Sequence, residues 1–136
     1  LGFLPLFQDL SQGLLTLCGE EGRNRSGGQR QLVGLVRALV KQPKILILDE
    51  ATAAMDYRME RAVMDLIRNY LHQTGAGLLL ITHQPTLAFT LDRILILEQG
   101  KICTSGTPQQ LLENENPFSA AYRYIVQPKT DASWQD

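Results

Sequence analysis

Several side chains in this 136-residue chain are suited, by type and placement, to chemistry at a phosphate. Asp49 and Glu50 close the aliphatic run Ile45-Leu46-Ile47-Leu48. A carboxylate at the C-terminal end of a parallel strand faces the crevice in which such sheets bind ligands. It holds Mg²⁺ mainly through water, because that ion keeps much of its hydration shell. A second carboxylate beside it can polarise an attacking water. Ser26, Gly27, Gly28 and Gln29 stand just before a run with helical spacing. A helix N-terminus offers unpaired N–H groups and a partial positive charge. Glycines there let a bulky anion approach the backbone, and serine adds a hydroxyl donor, which together make a phosphate site. His83 follows a second aliphatic run, residues 78–82. A neutral imidazole in that position can hydrogen-bond a phosphate oxygen or orient a water.

Each group also has a plain structural reading. Ser26 can be a simple N-cap followed by flexible glycines. Asp49-Glu50 can cap the next turn, His83 can be a structural loop histidine, and Asp56 suits the N-cap of the helix that follows it. What separates the two readings is the joint order: a Ser-Gly-Gly-Gln helix start, a strand ending in Asp-Glu, Asp56, then a strand ending in Thr-His.

The elements that must position these groups are legible from periodicity. Residues 1–17 mix Leu and Phe with Gln, Gly and Pro and predict one or two short helices. Residues 18–26 form a polar, glycine-containing loop. From Gly27 or Gly28 to about Val40, apolar residues three and four apart (Leu32, Leu35, Val36, Leu39) mark one face of a helix, which Lys41 and Pro43 stop. Four consecutive aliphatics at 45–48 predict a strand buried on both faces, as in a parallel sheet. Met59, Val63, Leu66, Ile67 and Tyr70 trace a second amphipathic helix, broken at Gly75 to Gly77, and residues 78–82 give a second buried strand. Strand, helix, strand in this order implies a right-handed parallel crossover. Residues 94–97, a tight turn at Gln99-Gly100 and a short return strand predict a hairpin. Thr107-Pro108 opens a helix through Leu112, and Asn116-Pro117 opens another to about Val126, before a polar tail.

The totals narrow the function classes. Apolar residues at 44% and charged residues at 20% are ordinary for a globular domain. A formal net charge of −1 gives no electrostatic case for nucleic acid or an anionic membrane as the main partner. Cys18 and Cys103 have no metal-ligand spacing and read as two reduced thiols. No apolar run approaches the ~18–20 residues that span a bilayer. The opening LGFLPLFQDL lacks a basic start and is not expected to be a signal peptide. Because the chain begins at Leu1 inside an amphipathic segment, it is expected to be a piece of a longer protein.

These residues resemble the C-terminal part of an ABC-type ATPase domain, over nearly all of residues 1–126. RSGGQ at 25–29 resembles the signature LSGGQ, and ILILDE at 45–50 resembles the Walker B strand with its catalytic glutamate. ATAAMD at 51–56 is similar to the D-loop pattern ATSALD, and His83 in ITHQ to the switch histidine. LDRILILEQGKICTSGTPQQLL at 91–112 is similar to the family's strand, hairpin and closing helix. GEEGRN at 19–24 resembles the loop that precedes the signature in exporter-type members. The resemblance implies an α/β fold. It would be part of a RecA-like P-loop NTPase parallel sheet with flanking helices, a C-terminal β-hairpin and the end of the helical subdomain. Residues 1–40 would be the subdomain end and signature helix, 41–126 the catalytic subdomain, and 127–136 a flexible tail.

The resemblance also implies roles. Asp49 would assist Mg²⁺ binding and Glu50 would be the general base. His83 would contact the γ-phosphate. Ser26, Gly27, Gly28 and Gln29 would close over ATP held by a second ATPase domain, and Asp56 would cross that interface and link the two sites. The implied setting is the cytoplasmic face of a membrane, with a transmembrane domain fused upstream and no nucleic-acid partner. A soluble ABC-type ATPase acting on nucleic acid or ribosomes, and a non-catalytic remnant, are the competing readings.

Two departures stand out. No G-x-x-x-x-G-K-[ST] loop occurs in residues 1–136, nor can an adenine-stacking aromatic or a glutamine loop be identified. The chain by itself is therefore expected to bind ATP weakly or not at all, not to hydrolyse it, and to expose apolar sheet edges that limit its solubility. Arg25 stands where the family usually has an apolar residue. It must keep its guanidinium in water or pair it, with Glu20 or Glu21 at hand, or else it weakens this half-site.

Overall fold

Two strands of like direction, each following a loop out of a helix, carry the first half of the fold. The structure is a computed structural model and describes residues 26–126. The expected short helices at 1–17, the 18–26 loop up to Arg25, Cys18 and the tail after Val126 lie outside the described residues. The chain divides into two compact units, one ending at Ile81 and one beginning at Thr82.

In the first unit, α1 (Gly27–Val40) is followed by β1 (Ile45–Asp49), α2 (Tyr57–Thr74) and β2 (Gly77–Ile81). α1 forms where its periodicity places it, with Leu32, Leu35 and Leu39 buried. Its end is fixed by Lys41, whose N–H reaches the carbonyls of Ala38 and Leu39, and by Gln42 at φ 49°, a left-handed residue that turns the chain out of the helix. α2 buries Val63, Met64, Leu66, Ile67 and Tyr70. The Tyr70 hydroxyl donates to the Pro43 carbonyl at 2.7 Å, so the ring is buried without an orphaned O–H. Gly75 ends α2 at φ 67°, a conformation that glycine adopts without penalty.

β1 and β2 pair in parallel, with Ile47 opposite Leu79 and Asp49 opposite Ile81. The sheet departs from two-sided burial. Leu46 is 3% exposed, whereas Ile47, its neighbour on the other face, is 62% exposed. Ile45, Leu79 and Ile81 share that open face. An uninterrupted aliphatic run has no polar side to give to water, so it signals a sheet covered twice. The described residues cover it once. Strand alternation puts Asp49 on the same open face as Ile45 and Ile47.

The second unit holds α3 (Pro85–Ala88), β3 (Ile94–Glu98), β4 (Lys101–Gly106), α4 (Pro108–Leu112) and α5 (Pro117–Val126). β3 and β4 form the expected antiparallel hairpin, turning at Gln99 (φ 49°) and Gly100 (φ 76°), with an irregular register after Ile96. Ile94, Leu111 and Phe118 form its core, joined by Phe89 and Tyr122, whose rings stack at 4.7 Å. Thr107 and Gln110 build a reciprocal cap on α4, as the Thr-Pro pair predicts.

Candidate functional site

Glu50 leaves β1 in a strained backbone conformation, φ 48°, and is half-buried. A non-glycine residue stays in the left-handed region only where its surroundings hold it there. Here they do. The Glu50 N–H donates to the Ile81 carbonyl at 3.0 Å, extending the β1–β2 ladder by one residue past Asp49. The Glu50 carbonyl accepts from the Ala53 N–H at 3.1 Å and from Gln31 Nε2 at 3.2 Å. Both ends of its peptide unit are thus tied, and the side chain leaves a fixed Cα at the C-terminal rim of the sheet. Asp49, one residue earlier, is exposed.

The start of α1 is capped reciprocally. Ser26 Oγ accepts from the Gln29 N–H at 3.2 Å, and the Gln29 side-chain oxygen accepts from the Ser26 N–H at 3.3 Å. Ser26 is exposed. A hydroxyl that accepts still has its own proton to donate. The N–H groups of Gly27 and Gly28, at the first two helical positions, have no carbonyl one turn back within the helix to bond. Ser26 is thus accessible at a helix end whose free N–H groups are suited to an anion, while Gly27 is half-buried and Gly28 buried.

The glycines also serve the packing. A Cβ on Gly28 would lie 2.8 Å from the Ala54 carbonyl oxygen and 3.3 Å from Met55 Cα, and one on Gly27 would lie 3.0 Å from the Ala54 methyl. The start of α1 therefore rests directly on the 50–56 turn. Gln31 completes the contact, because the Ala54 N–H donates to its side-chain oxygen at 3.1 Å while Nε2 holds the Glu50 carbonyl. Sequence reasoning missed Gln31: a lone glutamine on a helix carries no periodic signal, and its partners lie far along the chain. The same applies to the packing role of Gly28.

Asp56 caps α2, its Oδ1 accepting from the Met59 N–H at 2.8 Å, and it is exposed at the end of the turn that Glu50 begins. His83 follows β2 by one intervening residue and is exposed; it belongs to the second unit. Among the described residues no group of three or more His, Cys, Asp or Glu is gathered for a metal ion. Mg²⁺ bound with a nucleotide takes one or two carboxylates from protein and the rest from phosphate and water. Asp49 and Glu50, an acidic pair at a strand end, match that donor set. A cavity of about 480 Å³ in the second unit, lined by Cys103, Gln110 and Asn116 among others, includes none of the candidate residues. No helix of the described residues is long and apolar enough to cross a membrane.

The chain is similar to proteins of known family. A family model described as ABC transporter matches residues 8–53. The Toxin RTX-III translocation ATP-binding protein of Actinobacillus pleuropneumoniae is 42% identical over 126 residues, 93% of this chain and 17% of that protein. The Leukotoxin translocation ATP-binding protein LktB of Mannheimia haemolytica is 40% identical over the same share. The chain thus spans 17% of the length of these relatives. Among solved structures, a bacterial Atm1-family ABC exporter with ATP bound superposes with a TM-score of 0.78 at 32% identity, covering 96% of this chain and 22% of that one.

Proposed function

Because this chain belongs to the ABC transporter family, as a stretch of an exporter-type ATP-binding domain, we propose that it forms the signature and Walker B half of an ATPase that powers membrane export. The observation that carries the reading is the exposed Ser26 hydroxyl, beside a half-buried Gly27, at the start of a helix that buried Gly28 and Gln31 fix to the Glu50 turn. Glu50 acts as general base for the attacking water, taking its proton as the water adds to the γ-phosphorus. Asp49 would take part in holding Mg²⁺, which would offset negative charge on the nucleotide's phosphates. His83 contacts the γ-phosphate. Ser26, Gly27, Gly28 and Gln29 meet the γ-phosphate of ATP bound by a second ATPase domain, so nucleotide joins two subunits, and Asp56 lies at that interface.

In this proposal residues 1–40 end the helical subdomain and carry the signature helix, and 41–126 belong to the catalytic subdomain. The phosphate loop and the transmembrane domain come from other parts of the transporter, at the cytoplasmic face of the membrane. The 136-residue chain by itself does not turn over ATP, since it contains no G-x-x-x-x-G-K-[ST] sequence. A nucleic-acid-directed ATPase is disfavoured by the net charge of −1. The test is Glu50→Gln in the transporter subunit that carries this segment. ATP binding is retained and hydrolysis falls by about a hundredfold or more, the range for losing a general base. Undiminished hydrolysis refutes the assignment.

A further inference from the structure

The bond pair made by Gln31 has a geometry that a merely space-filling residue would not need. Its carboxamide uses both of its functions on one turn: Nε2 donates to the Glu50 carbonyl at 3.2 Å and Oε1 accepts from the Ala54 N–H at 3.1 Å. A carboxamide presents a neutral donor and a neutral acceptor side by side in this way. The residue it holds, Glu50, is the one whose left-handed φ of 48° must be maintained by its surroundings. Alongside it, Gly28 lets the Ala54 carbonyl approach to a distance no Cβ would allow. The helix start and the carboxylate turn are therefore in contact through backbone, and Gln31 is the side chain that spans them.

We propose that Gln31 is a positioning residue that transmits displacement of the α1 start to the Glu50 turn and so sets the aim of the Glu50 carboxylate. The inference rests on the reading that α1 meets the γ-phosphate of one site while Glu50 serves another. A subunit whose helix start closes on nucleotide moves Gln31, and Gln31 moves the Glu50 carbonyl that fixes the base it contributes to the other site. No bond is made or broken in this step; it is a mechanical link between two nucleotide sites within one chain.

The test uses the transporter subunit that carries this segment, reconstituted in lipid. Gln31→Met keeps the side-chain length and removes both hydrogen bonds. Its kcat falls about tenfold while its KM for ATP stays near that of the parent, because nucleotide contacts are untouched. Gln31→Glu supplies the discriminating readout. Ionised, it still accepts from the Ala54 N–H but repels the Glu50 carbonyl. Protonated, its O–H donates to that carbonyl as Nε2 did. Its kcat relative to the parent therefore rises as pH is lowered toward the carboxyl pKa, and that of Gln31→Met does not. A purely structural Gln31 would lower thermal stability in both variants and leave the relative pH profile flat. Parent-like kcat in Gln31→Met, or a flat relative profile for Gln31→Glu, overturns the proposal. Should Gln31→Met fail to fold, the Gln31→Glu profile decides by itself. Glu50→Gln in the same preparation separates the two levels. If it hydrolyses ATP at the parent rate, the ATPase reading itself fails. If it is inactive while both Gln31 variants behave as the parent, only the link is refuted.

Discussion

The same substitution, glycine to alanine, placed twice on α1 should change stability in opposite directions. Gly34 is exposed in the helix interior, and a Cβ there would meet no atom within 4 Å. Gly34→Ala therefore gains most of the helix-propensity difference, about 0.5–1 kcal/mol. Gly28 is buried at the second helical position, and its Cβ would sit 2.8 Å from the Ala54 carbonyl oxygen. That neighbour is backbone of a turn pinned by hydrogen bonds from Glu50 and Gln31, so it cannot yield by a rotamer change. Overpacking of this kind costs about 1–3 kcal/mol, and less than the full propensity gain offsets it at a helix end. Gly28→Ala should thus lose about 1–2 kcal/mol, leaving the two variants about 1.5–3 kcal/mol apart. Urea unfolding followed by far-UV circular dichroism reads the difference as opposite shifts of the midpoint at constant m. A second cycle checks the identity of the obstructing atom. Gly27→Ala approaches the Ala54 methyl at 3.0 Å, so Ala54→Gly relieves it, whereas the same change leaves Gly28→Ala unrelieved because the obstructing atom is a carbonyl oxygen. Stabilisation by Gly28→Ala, or its rescue by Ala54→Gly, would refute the reasoning.

Two further substitutions probe the frame around the site. Asp56→Ala removes the acceptor for the Met59 N–H and should cost about 1 kcal/mol, most of it restored by Asp56→Asn, measured by the same unfolding assay. On the sheet, Leu46→Ala should cost about 2–5 kcal/mol at its buried face. Ile47→Thr, one residue along on the open face, should stay within about 0.5 kcal/mol while reducing self-association in analytical ultracentrifugation.

The parts of the fold that were legible in the sequence are those written in short-range signals. α1 and α2 announce themselves through apolar residues three and four apart. Ser26, Asp56 and Thr107 mark helix starts because a short oxygen-bearing side chain serves the first free N–H groups, and each of the three does so here. The hairpin turn follows from Gln99-Gly100, although glutamine at positive φ is an uncommon choice. α3, four residues long, has no period to detect. The open face of β1 and β2 was not legible either, because an aliphatic run states what a strand needs and not whether the covering element is at hand. For the site, residue types and order point to Asp49, Glu50 and the glycine-fronted helix start as candidates. The bond from Gln31 to the Glu50 carbonyl and the seat of Gly28 on Ala54 join residues more than a helix apart in sequence, and such contacts leave no trace in composition or period.

In the proposed function, each nucleotide is closed over by the α1 start of one subunit and attacked with the Glu50 of the other. Mixed dimers assembled from two differently tagged subunits measure this through ATP turnover. With Ser26→Glu in one subunit and Glu50→Gln in its partner, both defects fall in one composite site, and the other site keeps hydrolysing. With both substitutions in the same subunit, each site receives one defect, and turnover drops to background. If the doubly substituted pairing is the active one and the divided pairing is silent, each site is built within a single chain and the account is wrong.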